Sequence, residues 1–201
     1  MLITAAIRNL ALLVTVNLKA NSRRNQWLNH RMSKAKIIKR LSWYYPTERF
    51  CAFIFSGILL WVFLWFPLSN VVLLLYGLFV VTIILFQGQH YLMLKLYRLT
   101  NKPFEQGKNL KLFRRAKNLN SILICAMPLI FALQLYLSGW IINAENYIIW
   151  AVTANIFGVL EHINYYHRQL SIDNLADVEY VLRNKKLKVA SLSKDLRDNE
   201  I

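Results

Sequence analysis

Residues 160–170, LEHINYYHRQL, gather one Glu, two His, one Asn, one Arg and two Tyr into eleven positions. At 100° per residue on a helix, Glu161, Asn164, Tyr165 and Arg168 share one face, and His162, Tyr166 and Gln169 share another. An Arg in such a setting can hold a phosphate or carboxylate, and a Glu or His can move a proton. Gln87 and His90, from the similar stretch QGQHYLMLKLYRL, could face Glu161, His162, Asn164 and Arg168 and complete a polar pocket. A metal site is not expected. His162 and His167 are five residues apart, about 140° around a straight helix, whereas helical zinc sites take ligands three or four apart.

The competing explanation is that this stretch is the place where a helix leaves a membrane. In it, Glu161 and Arg168 stop the span, the tyrosines anchor it, and the histidines lie among headgroups. The rest of the chain favours this explanation. The sequence is 56% hydrophobic yet carries a net charge of +15. Its 25 Lys and Arg fall in three blocks, ten in 1–50, eight in 87–120 and seven in 161–201. Residues 51–86 and 121–160 hold none, and Glu145 is their only acid. A soluble domain distributes charge over its whole surface, so this segregation excludes one and predicts an integral membrane protein.

Each charge-free block is too long for one span of about 20 residues and has a polar break near its middle. PLSN, with Pro67 and Asn70, divides the first, and INAEN divides the second, with its turn at 143–146. The expectation is an all-α fold of four transmembrane helices in two hairpins, at about 51–67, 71–88, 120–140 and 147–164. Residues 1–50 would be a basic N-terminal segment, 51–170 the membrane domain with a basic loop at 89–119, and 171–201 a charged, partly helical tail. Basic residues near span ends stay in the cytoplasm. Both termini and the basic loop are therefore expected there, in a plasma (inner) membrane, with the two tight turns outside. Trp61, Trp65, Trp140 and Tyr147 would form an outer aromatic belt. Trp43, Tyr44, Tyr45, Tyr91, Tyr165 and Tyr166 would form an inner one.

Residues 1–31 read either as an interfacial amphipathic helix, with Ile3, Ala6, Ile7, Leu10, Leu13, Val14 and Leu18 at helical spacing, or as sequence upstream of a natural start at Met32. In the tail, Asn174 is a candidate N-cap, and Leu175, Val178, Val181 and Leu182 form an apolar stripe on a helix resting on the membrane or on a partner, followed by a frayed end.

Within the spans, Gln134 and Asn155 lie about 9 and 12 Å below the outer edge at ~1.5 Å per residue, matched closely enough to hydrogen-bond across the second hairpin. On that reading Asn155→Leu is inexpensive. Ala154 and Gly158 form a ridge of small residues that admits a close helix, and Pro128 should kink the third span. Cys51 and Cys125 read as small membrane-buried side chains.

No catalytic or nucleotide-binding motif is present, and no charged residue lies deep in a span. Anionic lipid headgroups explain the basic segments without nucleic acid. The sequence therefore favours a non-catalytic accessory or assembly partner in a membrane complex, binding the bilayer and either a protein partner or copies of itself, with no cofactor or metal. A membrane enzyme or lipid-headgroup-binding protein using the polar mouth is the main alternative, and an oligomeric transporter is a further one.

Overall fold

In the computed structural model the described residues are 2–142, 146–172 and 175–201, with side chains described for 34–142, 146–172 and 177–201. The turn at 143–145 and the N-cap at Asn174 lie outside the described residues, and the side chains of Leu175 and of the amphipathic stripe of residues 3–18 lie outside the described side chains. Six helices follow in order, α1 (Leu2–Trp65), α2 (Leu68–Leu99), α3 (Gln106–Leu137), α4 (Ile148–Tyr166), α5 (Leu175–Asn184) and α6 (Ser191–Asp198). Among the described residues no strand forms, and a single antiparallel bridge joins Arg168 to Val189. The chain divides into two compact units, Met1–Ser42, formed by the first part of α1, and Trp43–Ile201.

Among the described residues three helices are long and apolar enough to cross a membrane: Lys34–Trp65, Leu68–Leu99 and Gln106–Leu137. α4, of 19 residues, is the shorter companion that packs along α2. The turn between α1 and α2 is tighter than PLSN suggested. Pro67 takes the N-cap position with φ −59°, and Leu68, Ser69 and Asn70 are already helical. Proline is at home at a helix start, because its missing N–H would have no intrahelical partner there.

The expected basic loop at 89–119 is instead mostly helix. α2 continues to Leu99 and α3 begins at Gln106, leaving only 100–105 as the connection. Lys, Arg and Leu are good helix formers. Charge in this segment limits how far an apolar span extends, while the helix itself continues. Pro128 lies within α3, which is unbroken around it.

Within the second unit α2 is the central helix, packed on both α3 and α4. One apolar cluster joins Val80, Ile84, Tyr91 and Leu94 of α2 to Phe113 of α3, Tyr165 and Tyr166 of α4, Leu192 of α6 and Ile201. A second joins Val62 of α1 to Val71 and Leu78 of α2 and Ala154 of α4. The outer surfaces of α1 and α3 are apolar as well, with Phe53, Leu60, Phe63 and Leu64 exposed on one and Ile122, Leu129 and Leu133 on the other. A surface that is apolar outside as well as inside is what hydrocarbon requires and water penalises.

Trp61 and Trp65 are exposed near the turn at Pro67, Trp140 is exposed just past the end of α3, and Trp43 is exposed at the opposite, basic end. Tyr91, Tyr165 and Tyr166 do not join a belt there, because they are buried in the core between the helices. Nor is the tail frayed. α6 lies against α2 and α3: Lys95 Nζ and Tyr91 Oη both bond Asp195 Oδ2, at 3.1 and 2.6 Å, and Arg98 meets Glu200 at 2.5 Å. On α5, Val178 and Leu182 are exposed.

Candidate functional site

At the basic end α2, α3 and α4 come together around one amide pair. Gln87 Nε2 donates to Asn120 Oδ1 at 3.0 Å, and Asn120 Nδ2 donates back to Gln87 Oε1 at 2.7 Å. The Tyr166 hydroxyl donates to the same Gln87 oxygen at 2.7 Å. Asn120 and Tyr166 are fully buried. Each helix thus contributes one member of a closed hydrogen-bonded set, and in a buried place such a set fixes the relative register of the helices. One turn further along α2, His90 Nε2 bonds Asn109 Oδ1 of α3 at 2.8 Å, with its ring 5.6 Å from that of Phe113.

The six mouth residues part into separate groups. Gln87 and His162 are linked through Tyr166, whose ring stacks on His162 at 5.1 Å. His90 is engaged with α3. Glu161 is half-buried, with the Glu48 carboxylate of α1 in electrostatic range and the Asn164 amide as a hydrogen-bond partner. Asn164 Oδ1 also accepts from the backbone N–H of Leu170 at 2.9 Å, which shapes the exit from α4. Arg168 has left the helix altogether. α4 ends at Tyr166, and the following residues run beside 187–190, with Gln169 N bonded to Lys188 O at 2.9 Å, Ala190 N to His167 O at 3.2 Å, and Arg168 Nη1 near Leu187 O at 3.4 Å. Glu161 and Arg168 therefore do not share a helical face.

The same helix end changes the histidine geometry. His167, at φ −132° and ψ −70°, is the C-cap, and its ring lies 5.3 Å from that of His162 instead of pointing 140° away. Burial and the nearby Lys117 ammonium hold the His167 imidazole below its ordinary pKa, burial being the larger cause. Two imidazoles this close could share a cation, but among the described residues no set of three His, Cys, Asp or Glu is gathered that could hold a metal ion. His162 is buried, and its Nδ1 has no partner there.

At the other end of the bundle Gln134 and Asn155 are both buried, yet they do not bond each other. Both grip α2. Gln134 Nε2 donates to Ser69 O at 2.6 Å, and Leu73 N donates to Gln134 Oε1 at 3.2 Å. These are the carbonyl and amide that a helix ordinarily joins as one i→i−4 rung, so the Gln134 amide spans a rung of α2. Asn155 Nδ2 donates to Leu73 O at 3.0 Å and to Ala151 O of its own helix at 2.8 Å, while its Oδ1 lacks a partner. α4 comes this close because position 77 is glycine. A Cβ there would sit 2.6 Å from Asn155 Nδ2 and 2.9 Å from the Asn155 backbone nitrogen. Ala154 and Gly158 face the same helix: Ala154 packs in the cluster with Val71 and Leu78, and Gly158 lies over Val80 and Val81. Their ridge is occupied inside the chain. Cys51 is half-buried and Cys125 is exposed on α3, both as free thiols.

The sequence reasoning missed Asn120, Asn109, Tyr166 as a hydrogen-bond donor, and Glu48. A signal for the first existed. Gln87 and Asn120 are the polar residues nearest the two inner edges of spans two and three, and matched depth favours pairing. Comparison with protein-family models, curated proteins and solved structures finds no match to this chain.

Proposed function

We propose that the chain is a four-span integral membrane protein, with both termini and the connection 100–105 in the cytoplasm, acting as a non-catalytic accessory or assembly partner in a membrane complex of the plasma (inner) membrane. The observation that carries this reading is the use made of the polar groups. Gln87, Asn120 and Tyr166 are engaged with one another across three helices, and Gln134 and Asn155 are engaged with the backbone of α2, so the amides act as internal ties. What the bundle offers outward at membrane height is apolar faces, those of α1 and α3 and that of α4 with Ile149, Trp150 and Ile156. Those faces meet lipid or the spans of a partner, another protein or a second copy.

The fourth span rests on α4. Its 19 residues reach about 28 Å at ~1.5 Å each, close to the ~30 Å hydrocarbon core, and it runs beside α2, whose buried residues extend from Val71 to Leu94. The orientation rests on the basic residues, all of which flank one end of the two hairpins. Exposed Lys108, Lys111 and Arg115 at that end suit anionic headgroups, not nucleic acid.

Two measurements test the proposal. Sidedness reporters fused after Ile201 and inserted at 143–146 are expected to report opposite compartments, and matching reports would end the four-span arrangement. A photo-crosslinking residue at Leu60 or Leu129 in native membranes is expected to trap a stoichiometric protein neighbour. Lipid-only adducts at both positions would remove the assembly reading.

A further inference from the structure

Between α1 and α4, toward the tight turns, lies a cleft of about 590 Å³, within the ~300–1,000 Å³ of ligand pockets. Its floor includes Val62, Leu78 and Ala154. At its lower end Phe55 of α1 stacks on Phe157 of α4 with ring centroids 5.7 Å apart. At its upper end Trp61, Phe66 and Tyr147 form an edge-to-face row, at 5.3 and 5.1 Å. The one hydroxyl on its α4 wall, that of Thr153, donates to the Ile149 carbonyl of its own helix at 2.7 Å.

We propose that this cleft binds one acyl chain of a phospholipid from the leaflet on the turn side. Three observations name that occupant. The surface facing the cleft is almost wholly apolar, its few polar side chains turning next to no polar area into it, whereas a water needs two to four partners. The height fits a single leaflet: Phe66, just past the end of α1 with its N–H still bonded to Val62 O at 3.2 Å, is eleven residues from Phe55, about 16 Å at ~1.5 Å per residue, half of the ~30 Å hydrocarbon core. The aromatic contacts close both ends along the bundle axis, so a helix about 10 Å across cannot run through, whereas a flexible chain can enter from the side. Trp61 and Tyr147 stand where the ester and headgroup region of that lipid would begin, a depth their amphipathic rings favour. The proposal rests on the membrane placement proposed above, and its test separates the two.

The full chain is reconstituted in vesicles of phosphatidylethanolamine and phosphatidylglycerol containing a phospholipid with a diazirine in its acyl chain. After irradiation, labelled peptides are mapped. Labelling is expected to concentrate on α1 around Ile58 and on α4 around Thr153, about tenfold above the lipid-facing surface of α3 around Leu129, as expected for a site favoured by one decade in occupancy. Thr153→Trp, from one wall, and Ile58→Trp, from the other, fill the cleft and are each expected to remove that excess while leaving α3 labelling unchanged. Equal labelling of α1, α4 and α3 in the unsubstituted protein would overturn the acyl-chain site. So would an excess that survives both substitutions, or one replaced by crosslinks to a second copy of the chain. Absence of label from α3 as well would instead overturn the membrane placement itself.

Discussion

Asn155 offers the sharpest test of how the bundle is held. Its side chain is 7% exposed and faces α2, not lipid. Replacing it with Ala removes the bond from Nδ2 to Leu73 O, worth ~0.6 and at most ~2 kcal/mol for an interhelical bond in a membrane. Leu73 O keeps the ordinary helical rung to the amide of residue 77. The same substitution also removes Asn155 Oδ1, which is buried without a partner, and relief of such a group recovers ~1–3 kcal/mol. The two effects oppose, and Asn155→Ala should destabilise by no more than about 1 kcal/mol.

Asn155→Leu is different. A methyl placed where Nδ2 now sits would press on the Leu73 carbonyl at 3.0 Å and on the Ala151 carbonyl at 2.8 Å. Overpacking of this kind costs ~1–3 kcal/mol, and with the lost bond the total is about 2–4 kcal/mol. From the sequence Leu looked harmless because it is welcome in hydrocarbon; the structure turns this residue inward. Unfolding of the purified protein by sodium dodecyl sulfate in mixed micelles, followed by tryptophan fluorescence, measures both variants. A Leu variant as stable as the Ala variant, to within about 0.5 kcal/mol, would refute the close α2–α4 approach.

The glycines on α1 and α2 should separate by the same logic. Gly77→Ala would force a Cβ against the Asn155 backbone and should cost ~1–3 kcal/mol in that unfolding assay, whereas at Gly57 an added Cβ would meet nothing within 4 Å, so Ala should be accepted there at no cost. His167 is held below its ordinary pKa, so the unfolded chain binds its proton first as pH falls. Its contribution is therefore complete above about pH 6.5 and declines below it; an NMR titration should place its midpoint under 6.5, and Lys117→Gln should raise it. Asp195→Ala removes the acceptor shared by Lys95 and Tyr91, charge-assisted bonds of ~1.5–3 kcal/mol, and should expose 185–190 to limited proteolysis; an unchanged digestion pattern would mean that α6 is held without this acceptor, by its apolar side and by contacts such as Arg98–Glu200 and Arg114–Leu196 O.

Much of this architecture is legible in the sequence because a bilayer writes it in charge. The two charge-free blocks and their polar breaks mark the helices around Pro67 and between α3 and α4. Charge does not mark where a helix ends. The run of Lys and Arg from Lys95 to Lys117 read as a loop and is mostly helix, since aqueous Lys and Arg favour helix once a span has nucleated it. The end of α4 was hidden for the opposite reason. No Gly or Pro follows Tyr166, so helical periodicity extended one turn too far, placing Arg168 beside Glu161 and parting two histidines whose rings lie 5.3 Å apart.

The amides carry the deeper lesson about what sequence depth can tell. Gln134 and Asn155 do meet α2 at neighbouring levels, Ser69–Leu73 and Leu73, and from matched level a mutual bond is expected; level, however, does not choose a partner. A side-chain amide carries both donors and an acceptor, and in hydrocarbon the backbone of a neighbouring helix is the nearest polar surface. Where Gly77 lets α4 close on α2, Leu73 O is within reach of Asn155, and Gln134 reaches the rung one turn before it. At the basic end Gln87 is tied to Asn120 and Tyr166. α2 is thus clamped by amides near both ends; between them the Tyr76 hydroxyl donates to Leu123 O of α3 at 2.8 Å, and the contact with α4 is apolar. Removing the clamp at one end while leaving the other should let α3 and α4 shift against α2 without unfolding, so Gln87→Leu should loosen the contacts of His90 and Tyr166 while Gln134 keeps its hold on Ser69.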